Sequence, residues 1–218
     1  MHISAIDRLV ILGPTGCGKT RLMSQLVSRI PRGWPILGVD PKPAPAMRAL
    51  FPVRIQKPEQ VRDLIGPARV SLGTFARGAY DPFLRAAWER GGITVVIDDL
   101  RLLMLHGSTD TLETLLIAGR ERFVGTWTNL QRPIELLELF SESEWLISFG
   151  LELKKDRERL SERGFDLESA YQGLAGHDYF VHRRGWPHVQ RVPARNAAPA
   201  KKLRRPNDGN TAANRGVL

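Results

Sequence analysis

The sequence predicts an α/β fold, a mainly parallel sheet with helices on both faces. Three observations point there. Short apolar runs of strand length alternate with stretches of helical periodicity, the pattern of parallel strands joined by crossover helices. A glycine-rich loop, Gly13-Pro14-Thr15-Gly16-Cys17-Gly18-Lys19-Thr20, sits between an apolar strand and an amphipathic helix. The run Ile93-Thr94-Val95-Val96-Ile97 is β-branched throughout, which suits the middle of a sheet, and it ends in the acids Asp98 and Asp99.

The elements follow in order. Leu9 to Leu12 reads as a buried strand running into the loop, and Lys19 to Ile30 as the helix leaving it. Leu22, Met23, Leu26, Val27 and Ile30 share one face of that helix. Pro35 to Val39 is a second strand ending at Asp40, and Pro41, Pro43 and Pro45 then force a loop. Pro52 to Gln56 and Arg69 to Leu72 are weaker strands around a helix near Glu59 to Ile65. Asp81 to Arg90 is a helix stopped by Gly91-Gly92. A helix begins around Leu100, after the acid pair. Asp110 to about Arg120 is the next, with Asp110 and Glu113 spaced as a capping box. Phe123 to Thr128 is a strand, and Pro133 opens a short helix carrying Ile134, Leu136 and Leu137. Trp145 to Phe149 is a strand, Lys154 to Arg163 a charged helix, and Asp178 to Val192 a hairpin turning at Gly185 to Pro187. The folded domain, 1–193, ends near Pro193.

Composition narrows the class. The 218 residues are 42% hydrophobic and 25% charged, ordinary for a soluble globular protein. No apolar run approaches membrane-span length, so no transmembrane segment is expected, and Met1 to Asp7 lacks a signal-peptide pattern. Cys17 is the one cysteine, which excludes an intrachain disulfide and fits a reducing, cytoplasmic setting. The formal charge is +9, and from Arg195 onward six cations face only Asp208, so the end of the chain carries +5 of it. That stretch, 194–218, has almost no large apolar residues and is expected to be a disordered basic tail. Lys201, Lys202, Arg204 and Arg205 make it a candidate for binding the phosphates of nucleic acid, against the alternative of a solubilising terminus.

The loop from Gly13 to Thr20 matches a phosphate-binding loop at every fixed position. Glycines allow close backbone approach, and the amides of a helix N-terminus converge on one anion. Lys19 can reach the β- and γ-phosphates of ATP, and the Thr20 hydroxyl can ligate Mg²⁺. Arg21, directly after it, is counted with the loop as a nucleotide-binding candidate. Asp98 would hold Mg²⁺ opposite Thr20, through a water, and Asp99 would orient or deprotonate an attacking water. The competing role for both acids is capping the helix that follows. At the end of the next strand, in Thr128-Asn129-Leu130-Gln131-Arg132-Pro133, a polar amide can sense the γ-phosphate. Gln131 is the first candidate and Asn129 the second. Arg120 could point from its own subunit toward a neighbour's ATP, with Arg122 as the alternative. The competing role is a surface arginine paired with Glu121 or Glu113.

Taken together, Gly13 to Thr20, Val39-Asp40-Pro41-Lys42, Ile97-Asp98-Asp99 and Leu130-Gln131-Arg132-Pro133 resemble the motifs of the HerA/FtsK superfamily of DNA-pumping ATPases. The resemblance covers about Arg8 to Val192. Short single-domain members resemble the genome-packaging ATPases of tailless icosahedral viruses with an internal membrane. What the resemblance implies is a RecA/ASCE-like P-loop NTPase fold and an ATP- and Mg²⁺-dependent double-stranded DNA translocase. It further implies a pentameric or hexameric homo-oligomeric ring, portal or capsid partners, and a place in the host cytoplasm or at the packaging vertex of the virion. By the same resemblance, Asp98 takes the metal, Asp99 the lytic water, Gln131 the sensor role and Arg120 the trans-acting role. This chain departs from the family at Asp99, where Glu is usual. Two other readings fit the phosphate loop: a small-molecule or nucleotide kinase, and an assembly protein gated by nucleotide with little hydrolysis.

Overall fold

Nine strands form one sheet: β1 (Arg8–Leu12), β2 (Ile36–Val39), β3 (Val53–Ile55), β4 (Pro67–Val70), β5 (Ile93–Ile97), β6 (Val124–Leu130), β7 (Trp145–Phe149), β8 (Tyr179–Arg183) and β9 (Gln190–Val192). Their order is β3-β4-β2-β5-β6-β1-β7-β8-β9. The computed structural model describes residues 2–72, 78–105, 107, 110–133, 142–161 and 176–193. All pairings from β3 across to β7 are parallel, and β8 and β9 add an antiparallel hairpin at one edge. The described helices are α1 (Lys19–Val27), α2 (Pro45–Leu50), α3 (Asp81–Arg90), α4 (Leu100–Leu105), α5 (Asp110–Ala118) and α6 (Lys154–Ser161).

The alternation of side chains along each strand builds two apolar layers. Val10, Leu12, Val39, Val95 and Ile97 face one way and pack with Leu84 of α3 and Leu115 of α5. Leu9, Ile11, Ile36, Val96 and Ile147 face the other way and pack with Met23 and Leu26 of α1 and Met47 of α2. Every residue of β1, β5, β6 and β7 is buried, as a sheet covered on both faces requires. Gly38 is a packing requirement of the second layer. A Cβ there would lie 2.6 Å from the ring of Phe51, itself fully buried where α2 ends.

Several boundaries differ from expectation, each for a local reason. The first helix stops at Val27, and Ser28 to Ile30 continue in tight turns ahead of Pro31. The loop expected over the prolines after Asp40 contains α2. Pro45 serves as its first residue, where a missing N–H costs nothing, and the Asp40 carboxylate accepts from the Ala44 amide just before it. The helix expected near Glu59 to Ile65 is a single 3₁₀ turn, Pro58–Val61, because Gln60 Oε1 accepts from the amides of Gln56 and Lys57 and ties the turn shut. The strand expected at Arg69–Leu72 is β4, two residues earlier. β6 runs past Thr128 to Leu130, since its last residues pair with Ile11 and Leu12 of β1. The short helix after Pro133 and the basic tail with Lys201, Lys202, Arg204 and Arg205 lie outside the described residues.

Candidate functional site

The strand order decides the site. β6 lies between β1, which enters the phosphate loop, and β5, which ends in the acid pair. Parallel strands put all three C-termini on one edge, so the loop, Asp98 and the end of β6 converge there.

The loop is held by backbone and by small residues. The Gly13 amide donates to the Leu130 carbonyl at 3.1 Å, fixing the start of the loop on the end of β6. Gly13 has φ 152°, and a Cβ on it would meet Cys17 Sγ at 2.7 Å and Phe149 Cβ at 2.8 Å, so no side chain fits. Gly16 and Gly18 are left-handed, at φ 83° and 107°. Gly18 caps α1 without a side-chain acceptor, and the helix N-terminal amides face the loop. Cys17 is buried filler, and burial raises the pKa of its thiol against the pull of Lys19. Thr15, Gly16 and Arg21 are exposed at the rim, with Pro14 half-buried beside them.

Lys19 Nζ donates to the carbonyls of Gly13 at 2.7 Å and Pro14 at 2.9 Å, which poises the ammonium over the loop. Burial lowers its pKa, while Cys17, Asp98 and Asp99 raise it. Thr20 Oγ1 donates to Asp98 Oδ1 at 3.2 Å, and Asn129 Nδ2 donates to the same oxygen at 2.8 Å. Thus three strands deliver one polar cluster. Asn129 is only 2% exposed, and its Oδ1 is buried without a hydrogen-bond partner. Hydroxyl and carboxylate oxygen side by side suit a hard cation that keeps waters and takes its remaining ligands from phosphate, as Mg²⁺ does. Among the described residues no group of three or more His, Cys, Asp or Glu side chains forms a closed metal cage.

Asp99 adopts φ 63°, a left-handed conformation uncommon outside glycine. Its Oδ1 accepts from the Leu102 amide at 3.4 Å, and its carbonyl accepts from Leu102 and Leu103. The capping role therefore exists for Asp99, with a long side-chain bond, whereas Asp98 is engaged by Thr20 and Asn129 instead. Gln131 is exposed just past β6. Of the two amides, the structure brings Asn129 onto Asp98.

Arg120 and Arg122 lie at the other edge of the sheet. They occupy a 3₁₀ turn, Gly119–Arg122, before β6, whose seven residues span about 20 Å. Arg120 is 70% exposed and lies 3.6 Å from Glu144. Arg122 is bound to the end of α3, donating to the carbonyls of Trp88 and Glu89 at 2.8 Å each and covering the Trp88 ring.

Two contacts at the site carry no sequence signal. His177 Nδ1 lies 2.7 Å from the Cys17 carbonyl, so the segment entering β8 buttresses the phosphate loop from 160 residues away. Arg132 pairs through two hydrogen bonds with Asp156 of α6, at 2.9 and 3.0 Å, fixing the chain after β6. Asp40, at the end of β2, is fully enclosed. Burial pushes its pKa up to about 6, and nearby Asp98 adds to the rise.

No protein-family model and no curated protein sequence matches the chain. Solved structures do. The genome packaging NTPase B204 from Sulfolobus turreted icosahedral virus 2, in complex with ATP-γS, superposes with a TM-score of 0.71 at 12% identity, covering 88% of this chain and 98% of that one. Its complex with AMP gives a TM-score of 0.72 at 12% identity over the same shares. The cytoplasmic domain of the Thermomonospora curvata type VII secretion ATPase EccC gives 0.56 at 15% identity, covering 85% of this chain and 25% of that one. The chain has the α/β fold of these P-loop NTPases, over nearly the whole length of B204.

Proposed function

We propose that this chain is a Mg²⁺-dependent ATPase that translocates double-stranded DNA, the packaging motor of a virus, working as a pentameric or hexameric ring. The observation that carries the reading is the convergence of Thr20, Asp98 and Asn129 beside the phosphate loop. The fold shared with a protein described as a genome packaging NTPase supports the substrate.

The residues divide the work. Loop amides and the Lys19 ammonium hold the β- and γ-phosphates and offset the charge that builds as the terminal phosphoryl leaves. Thr20 and Asp98 would hold Mg²⁺, which would supply charge neutralisation at the phosphates. Asn129 keeps the Asp98 carboxylate turned toward Thr20, and its free Oδ1 is an acceptor for a water at the γ-position. Asp99 orients that water or takes its proton. Gln131, exposed at the same edge, contacts the γ-phosphate once nucleotide is bound. Arg120 stands a strand length from its own site, so any role in hydrolysis is toward a neighbour's ATP. Portal or capsid proteins and the basic tail complete the assembly in this reading, with the host cytoplasm or the packaging vertex as its setting. Among the described residues no helix is long and apolar enough to cross a membrane.

The test is ATP hydrolysis with and without duplex DNA, with particle size measured under the same conditions. The expected result is stimulation by DNA and a rate that climbs more steeply than linearly with protein concentration. Arg120→Ala mixed with Lys19→Ala should regain activity that neither has alone, since the Lys19→Ala neighbour still offers its arginine. A monomer with a DNA-independent rate would sink the translocase reading, and transfer of phosphate to a small acceptor would select a kinase.

A further inference from the structure

Three arginines converge away from the nucleotide loop. Arg54 of β3 and Arg69 of β4 are direct cross-strand partners, so both side chains stand on one face of the sheet. Arg48 of α2 lines the same cavity of about 330 Å³, together with Pro43 and Ser71. Like charges placed directly opposite on paired strands destabilise a sheet, and this pair has a third cation beside it. Among the described residues, no carboxylate lies within ion-pair distance of any of the three. The enclosed Asp40 acts on Arg69 and Arg48 only through the field.

The guanidinium groups are held by backbone rather than by acids. Arg54 donates to the Ser71 carbonyl at 2.8 Å, and Arg69 donates to the carbonyls of Phe51 and Pro52. Arg69 Nε is buried with no hydrogen-bond partner. The backbone bonds engage Arg54 Nη2 and Arg69 Nη1 and leave further N–H donors of both guanidinium groups in fixed planes, which suits a tetrahedral oxyanion bound by two-pronged hydrogen bonds.

We propose that Arg48, Arg54 and Arg69 form a second phosphate-binding site, distinct from the Gly13–Thr20 loop. β4 and β3 lie four and five strands from β1, about 19 and 24 Å at ~4.8 Å per strand, and two and three strands from β5, about 10 and 14 Å, so the loop that grips the phosphates does not reach the arginines. The site takes a phosphate ester, either a backbone phosphate of duplex DNA or a small phosphorylated ligand. The DNA arm rests on the translocase reading; the phosphate site itself does not.

The experiment compares the full chain with the Arg48→Gln/Arg54→Gln double variant and with Arg54→Lys. Arg69 is left intact because it ties down the turn after α2. Thermal unfolding is recorded with and without inorganic phosphate, in a Lys19→Ala background that silences the loop. The parent should gain about 3–6 °C at phosphate ten times its dissociation constant, and the double variant should gain nothing. Arg54→Lys, which keeps the charge and loses the fork, should keep only part of the gain. Unfolding without phosphate reports that each variant is folded. In parallel, duplex DNA binding by chains with an intact loop is measured from low to high salt. The double variant should bind about 3- to 10-fold more weakly with a salt slope reduced by about one to two. Loss of both signals supports a site used by DNA. Loss of the phosphate gain with an unchanged DNA slope supports the site and assigns it to a small phosphate ester. A phosphate gain that the double variant abolishes, in a chain that binds no DNA, keeps the site while the translocase reading falls. An unchanged phosphate gain in the double variant overturns the proposal.

Discussion

Asn129→Ala separates catalysis from stability at this site. In the wild type Asn129 gives a 2.8 Å hydrogen bond to a carboxylate, a contact worth about 1.5–3 kcal/mol, and leaves its own Oδ1 buried and unpaired, which costs about 1–3 kcal/mol. Removing the side chain removes both. The two contributions nearly cancel, so unfolding stability should stay within about 1 kcal/mol, or ~2–4 °C in Tm for a chain of this size. A water can fill the polar space left behind. Catalysis has no such compensation. Asp98 keeps Thr20 as its remaining partner and loses the donor that fixes its rotamer. If the whole bond is felt in the transition state, turnover falls about 10- to 150-fold. Steady-state ATP hydrolysis and calorimetric unfolding on the same preparation check this. Wild-type turnover in Asn129→Ala would remove Asn129 from the machinery, and a loss of stability above about 2 kcal/mol would show its role to be structural.

Other perturbations read separate parts of the structure. Gly38→Ala should cost about 1–3 kcal/mol in denaturant unfolding, because Phe51 is locked under α2 and cannot yield to a Cβ 2.6 Å away; an unchanged midpoint would mean the α2 layer moves freely. Burial pushes Asp40 from 3.8 up to about 6 in the fold, so the stabilisation its proton gives is full below 3.8 and is lost as pH rises from there through 6. Asp40→Asn should therefore gain on the wild type by up to about 3 kcal/mol from pH 4 to pH 8, and a flat difference across that range would contradict the assignment. Asp98→Asn should weaken Mg²⁺-dependent ATP binding and turnover together, whereas Asp99→Asn should bind ATP normally and turn it over slowly; equal effects on binding would merge the two roles.

The fold was legible because its signals are local. The alternation of strands and helices, the glycine spacing of the loop and the acid-terminated β-branched strand are each fixed by a few neighbouring residues, and the sheet follows from them. What stayed illegible was set by contacts across the chain. Asn129 and Gln131 both follow Thr128 within three residues, and only the register of β6 against β1 turns Asn129 inward onto Asp98. His177 reaches Cys17 across 160 residues with no pattern to announce it. Arg122 stands in sequence as the alternative to Arg120 for an arginine aimed at a neighbour, but in the structure the end of α3 claims its donors. The three arginines around Ser71 are scattered over 22 residues of sequence; parallel pairing of β3 with β4 joins Arg54 and Arg69, and α2 brings Arg48 to the same cavity.

The backbone at Asp99 gives a physical reason for the shorter acid where the resembling family usually carries Glu. The chain must leave β5 at Ile97 and start α4 at Leu100 with only Asp98 and Asp99 between, and it does so with φ 63° at Asp99. Asp and Asn tolerate that region because their short side chains bond the local backbone, as Asp99 Oδ1 does with the Leu102 amide at 3.4 Å. Glu carries its carboxylate one methylene farther out and forfeits that compensation. The length of the bond matters too: at 3.4 Å it is weak, which leaves the carboxylate able to accept from a water, as the proposed role of Asp99 requires. Asp99→Glu then meets two penalties, about 1 kcal/mol of backbone strain in unfolding stability and a misplaced carboxylate in turnover. Asp99→Asn keeps the backbone preference and the cap and loses only the negative charge that the proposed water-activating role needs. The expected order is therefore Asn at wild-type stability but slow, and Glu both less stable and slow, read from unfolding curves and ATP hydrolysis side by side. A Glu variant with wild-type stability and full turnover would show that the left-handed turn does not select the acid.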